Sequence, residues 1–80
     1  MDDPGSLIRT YPVPVAEKLT VEAMVEHFDL AVFDHLGQMV LGVKDLPRKS
    51  SIDFGRIAAG LYILQFTRDG SVVTRKIIRL

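Results

Sequence analysis

The chain has no cysteine and no tryptophan in its 80 residues, and neither sign of charge is in excess: ten Lys and Arg stand against ten Asp and Glu. Without thiols there is neither a disulfide framework nor a thiolate metal site, so packing alone must hold the fold. Cysteine-free sequence suits the cytosol and is equally compatible with secretion. Balanced charge supplies no global field for an anionic membrane or a polyanion, and no nucleic-acid partner is expected. No apolar run approaches the roughly 20 residues that cross a bilayer as a helix. The opening residues Met1 to Ser6 lack the basic start and apolar stretch of a signal peptide. Residues 1–6 are therefore read as a linker or expression remnant and 7–80 as one domain; if the protein is exported, the signal is expected on a longer parent chain.

What is present concentrates in the last third. From Gly60 to Leu80, two runs of β-branched, aromatic and aliphatic residues flank Asp69-Gly70. A two-residue Asp-Gly loop is the strongest short-range hairpin signal, because both positions of a type I′ turn need positive φ. Such a loop fixes the register: Arg68 faces Ser71, Phe66 faces Val73, Leu64 faces Arg75 and Tyr62 faces Ile77. One face then carries Tyr62, Leu64, Phe66, Val73 and Ile77, with Arg75 its one charge, and is expected to be core. The other carries Gln65, Thr67, Thr74 and Lys76 together with Leu61, Ile63, Val72 and Ile78. A solvated sheet face is normally more polar than that. Such a patch marks a docking surface or a face covered by another layer.

Upstream, Leu7 to Arg9 is expected as a short first strand. Tyr11-Pro12-Val13-Pro14 follows as an extended edge segment, since each proline removes a donor and biases its predecessor toward extended geometry. Leu19, Val21 and Ala23 share one side of a half-buried strand, although the window from Val21 to Leu30 also admits helical spacing. Met24 to His27 connects that strand to Phe28–Phe33. Asp34-His35-Leu36-Gly37 has Asp first and Gly fourth, the preference of a type I turn, and predicts a second hairpin. Leu30, Val32 and Val40 are expected in the core, with Phe33 and Met39 nearer the rim. Gly42 to Lys49 is expected as a polar loop and Ser51–Phe54 as a short strand. Asp53 is placed to cap one helical turn through Gly55–Ala59, which Gly60 ends with positive φ and from which Ile57 plugs the core. About seven short strands with turn signals between them predict an all-β, compact Ig-like antiparallel sandwich.

The motifs Tyr11-Pro12-x-Pro14, Leu19-x-Val21, Leu30-x-Val32-Phe33-Asp34-x-x-Gly37-x-x-Val40, Ile52-Asp53, Ile57-x-x-Gly60-x-Tyr62 and Lys76-Ile77-Ile78 occur in this order. Together they span residues 7–80, and the ordered set resembles the C-terminal sorting domain, type A, of cargo exported by the type IX secretion system of Bacteroidetes. The resemblance implies a seven-stranded sandwich appended to a larger secreted protein, taken through the periplasm and across the outer membrane to the cell surface or beyond. It implies translocon components as partners, and a sortase-like cysteine peptidase where the domain is cleaved. Val13 departs from the family pattern, in which asparagine is usual, and loses a side chain able to bond its own backbone.

The residues expected to carry recognition by the translocon are Gly60, Tyr62, Arg75, Lys76, Ile78, Arg79 and Leu80. Tyr11, Pro12, Pro14, Asp34, Gly37, Asp53, Ile57 and Gly70 are read as structural. No catalytic residue, cofactor or metal is assigned, and no enzymatic activity is expected. Asp34, His35 and Ser50 or Ser51 contain triad residue types without a nucleophile elbow, and His27 and His35 are read as surface histidines. Two rival readings stand beside this one: an uncleaved anchoring or assembly module, including a possible homodimer, and a fibronectin-like or carbohydrate-binding adhesive module. The second would normally show an aromatic stacking platform.

Overall fold

The computed structural model describes residues 8–80, so the segment read as a linker, and Leu7 of the expected first strand, lie outside it. Seven strands form two antiparallel sheets: β1 (Ile8–Tyr11), β2 (Lys18–Ala23), β3 (Phe28–Phe33), β4 (Met39–Leu46), β5 (Lys49–Asp53), β6 (Gly60–Arg68) and β7 (Ser71–Arg79). The sheet orders are β1-β2-β5 and β4-β3-β6-β7. The chain therefore changes sheet after β2, after β4 and after β5, which is the connectivity of an Ig-like sandwich.

Strand alternation explains where the core sits. Leu19 and Val21 of β2 and Ile52 of β5 face Leu30 and Val32 of β3, Tyr62, Leu64 and Phe66 of β6 and Ile77 of β7, all buried. Phe28 and Phe66 meet tilted at 6.0 Å between ring centroids, a favoured aromatic arrangement. The β6–β7 register is the one that the two-residue turn dictates, running unbroken from Arg68↔Ser71 to Gly60↔Arg79. Asp69 and Gly70 have φ of 49° and 81°, as a type I′ turn requires.

The β3–β4 hairpin also forms. Asp34 Oδ1 accepts from the Leu36 and Gln38 amides at 2.9 Å each, the Gly37 amide donates to the Asp34 carbonyl, and Gly37 has φ 81°. Beyond it the sequence reading needs two corrections. Gly42 to Lys49 is not a loop, because β4 continues to Leu46 and β5 begins at Lys49; Leu41, Val43 and Leu46 pack on the core while Gly42 and Lys44 alternate outward. Val40 is not core. The register passes from Val32↔Leu41 to Phe33↔Met39, so Val40 is the extra residue of a β-bulge and is 41% exposed. A second bulge lies between Phe28↔Leu46 and Leu30↔Val43, and there Asp45 takes φ 58°. Each inserted residue re-aims the side chains beyond it.

The expected helical turn after β5 is a single hydrogen-bonded turn, not a helix. The Ile57 amide donates to the Phe54 carbonyl at 3.0 Å, and Asp53 Oδ1 accepts from the Gly55 amide at 2.7 Å. The Asp53 carboxylate thus holds the turn open at its start, and partly buried Ile57 packs on the core as expected. Gly60 follows with φ 152°.

Candidate recognition strand

β7 is an edge strand of the four-stranded sheet, with β6 on its inner side. Its inward side chains are Val73, Arg75 and Ile77. Its outward ones, Val72, Thr74, Lys76 and Ile78, are all exposed. The neighbouring outward residues of β6 are Leu61, 46% exposed, and half-buried Ile63, paired with Ile78 and Lys76 respectively. Phe33 of β3 stands beside Ile63, and Met39 beside Phe33. An apolar row thus crosses the outer face of the sheet and ends at Lys76 on the edge. The Tyr11–Pro14 segment does not cover it: Ile78 is 50% and Leu80 65% exposed.

That segment does something else, which sequence reasoning missed. After β1 the chain leaves the small sheet through two cis X-Pro bonds, Tyr11–Pro12 and Val13–Pro14, and reaches the outer edge of β7. There Val15, fully buried, forms a parallel bridge to Arg79. Its amide donates to the Ile78 carbonyl at 2.7 Å, and its carbonyl accepts from the Leu80 amide at 2.8 Å. A lone valine between prolines and a charged turn offers no periodicity from which such a role could be read. Phe54, also fully buried, was likewise not foreseen as core.

The remaining motif residues divide by what they touch. Tyr62 is buried, meets Phe54 edge-on at 6.5 Å, and its hydroxyl donates to the Ala58 carbonyl at 2.6 Å, tying β6 to the turn before it. Arg79 folds back: Nε donates to the Phe54 carbonyl at 3.0 Å and Nη1 to the Leu80 carbonyl at 2.5 Å. Arg75 is half-buried, and its Nη1 donates to the Thr74 carbonyl at 3.3 Å. Of the cations assigned to recognition, Lys76 is the exposed one. Tyr11 lies on the other sheet, where its hydroxyl donates to Glu22 Oε1 at 2.5 Å and Arg9 stacks over its ring. That hydrogen bond holds the Glu22 carboxyl below its ordinary value and the Tyr11 phenol above its own.

The two histidines are kept apart by β3. His35 is in the β3–β4 turn. His27 is at the opposite end, with φ 60° and Nδ1 2.6 Å from Asp45 Oδ1, joining the β2–β3 loop to the bulge near the end of β4. Among the described residues no three His, Asp or Glu side chains gather as a metal group, and no helix is long and apolar enough to cross a membrane.

Comparison with known proteins adds the deciding observation. The family model described as "Secretion system C-terminal sorting domain" matches residues 9–79. The chain belongs to that family. This sorting domain is the signal of type IX secretion, which directs export toward the outer membrane, the cell surface or the extracellular space. Among solved structures, it is similar to a chain of PorZ, described as an essential bacterial surface component of the type IX secretion system of Porphyromonas gingivalis. The TM-score is 0.79 at 12% identity, over 96% of the sorting domain and 12% of that chain. At that identity the likeness shows the shared sandwich fold, and the sorting domain spans about an eighth of the matched chain. No curated protein sequence matches.

Proposed function

We propose that this sorting domain is the export address of a larger cargo protein and that translocon components read it through the β6–β7 hairpin. Cargo would reach the translocon from the periplasm. The observation that carries the reading is the outer side of β7: Lys76, Ile78 and Leu80 are exposed beside apolar Leu61 and Ile63. In a non-catalytic address, Gly60 and Tyr62 shape the hairpin base, Arg79 fastens it, and Arg75 and Lys76 supply charge. The test fuses the domain to a reporter in a type IX-secreting cell and replaces Ile78 and Leu80 by Asp. Both side chains project outward, so the fold is expected to persist while export falls. Unchanged export of a folded variant removes this end of the strand from the recognition surface.

Where a sortase-like peptidase acts, it would remove the domain from the cargo after passage. The same apolar row favours a second reading, an uncleaved module that holds a partner or a second copy. Mass and N-terminal sequencing of the mature parent protein separate the two, because loss of the domain excludes retention.

A further inference from the structure

The sandwich has four strand edges, and three are blunted. β1 is four residues long and runs into Pro12; β5 is five residues long and follows Pro47; β4 is broken by bulges at Val40 and Asp45. Short strands, prolines and bulges are the ordinary means of preventing a sheet from accepting another chain. β7 has none of them. It is nine residues long, paired to β6 without a register shift and free of proline and glycine.

Val15 shows which of its main-chain groups face outward. It bonds the Ile78 carbonyl and the Leu80 amide, so those groups point away from β6. Because a strand's main-chain groups alternate sides, Val72, Thr74 and Lys76 also present theirs to the open edge. Among the described residues no second strand pairs with this stretch on the side away from β6. The Thr74 carbonyl accepts from the Arg75 guanidinium at 3.3 Å.

Charge identifies the occupant. Gly60–Leu80 holds Arg68, Arg75, Lys76 and Arg79 against the single carboxylate Asp69, a balance of +3 in a chain whose total is zero. The rest of the chain is correspondingly acidic, and neither β6 nor β7 contains a carboxylate.

The geometry points to strand addition on β7 between Val72 and Lys76 by an extended, carboxylate-bearing segment of a secretion-machinery protein. The inference rests on the sorting function proposed above and specifies how the address is read. Main-chain bonds to Val72, Thr74 and Lys76 give affinity, and carboxylates beside Arg75 and Lys76 give selectivity. Val15 stops the added strand, because it already occupies the edge at Ile78 and Leu80.

The test is Thr74→Pro in the reporter fusion. Proline there removes an outward amide that no strand uses and is tolerated on an edge. Folding is checked by circular dichroism and melting, and Val72→Pro, which removes another outward amide, stands in if Thr74→Pro does not fold. Export is expected to fall about tenfold or more, the scale of one lost main-chain hydrogen bond in a desolvated pairing; Lys76→Glu is expected to reduce it as well. A folded proline variant exported like the wild type overturns strand addition and leaves the sorting function standing. Loss with Lys76→Glu but not with proline also overturns it, in favour of purely electrostatic docking on an anionic surface such as a glycolipid. Failure of the wild-type fusion to be exported defeats both readings.

Discussion

Val15 and Leu80 are joined through the main chain: the Leu80 amide donates to the Val15 carbonyl at 2.8 Å, while the Val15 side chain is fully buried. One residue between the two sheets thus fastens the end of β7 and fills the core below it. Val15→Ala should keep the hydrogen bonds and lose the packing, at a cost of about 2 kcal/mol. Urea unfolding checks this: the midpoint should fall with unchanged slope. A loss below about 0.5 kcal/mol would mean that the surrounding side chains close the cavity.

Tyr62→Phe isolates the hydroxyl bond to Ala58 from the ring packing on Phe54. The ring stays and one part-buried hydrogen bond disappears, costing about 1 kcal/mol, or about 4–8 °C in melting temperature for a domain of this size. The β6–β7 register should be unchanged in amide cross-strand contacts observed by NMR.

Gly37 and Gly70 both have φ 81°, and a Cβ at either would meet nothing within 4 Å. Replacement by alanine is therefore penalised by backbone conformation alone, by about 1–2 kcal/mol at each site. Gly42 has no such φ, and its added Cβ would lie 3.4 Å from the Met39 sulfur, the end of a flexible side chain. Gly42→Ala is expected to leave stability unchanged or slightly raised, since alanine suits a strand better than glycine. Equal losses at all three positions would contradict this reasoning.

The Tyr11–Glu22 hydrogen bond gives stability a pH window. The Glu22 carboxyl is lowered from 4.5 chiefly by the Tyr11 hydroxyl, so its contribution is complete above that value and is lost as pH falls through the lower folded-state value. The Tyr11 phenol is raised from 10.0 chiefly by Glu22, so its contribution is present below that value and is lost as pH rises through the higher folded-state value. Tyr11→Phe should flatten the stability profile at both extremes relative to wild type. Identical acid limbs in the two proteins would show that the bond contributes nothing in solution.

The sandwich was legible where local chemistry fixes geometry. Asp69-Gly70 sets the register of β6 and β7 by itself, and Asp34 with Gly37 closes the other hairpin without help from distant residues. The exposure of Ile78 on β7 followed from simple alternation. Alternation fails at the bulges, because one extra residue reverses every side chain beyond it; this is why Val40 was expected inside and lies outside. The part of β4 beyond Leu41 reads as a loop because an edge strand with Gly42, Lys44 and Asp45 has too few apolar residues to announce itself. Val15 and Phe54 are buried from segments with no repeat, and the inward fastening of Arg79 depends on the Phe54 carbonyl, 25 residues away in sequence. Only the assembled sandwich brings such pairs together.

The closure by Val15 also bears on when the domain can exist. Residues near its beginning are sealed by the amide and carbonyl groups of Ile78 and Leu80, so a nascent polypeptide halted before those positions lacks the fastening contact. A prematurely terminated product would then bear an incomplete label. Such a product would also leave the Val15 amide and carbonyl without their partners on β7.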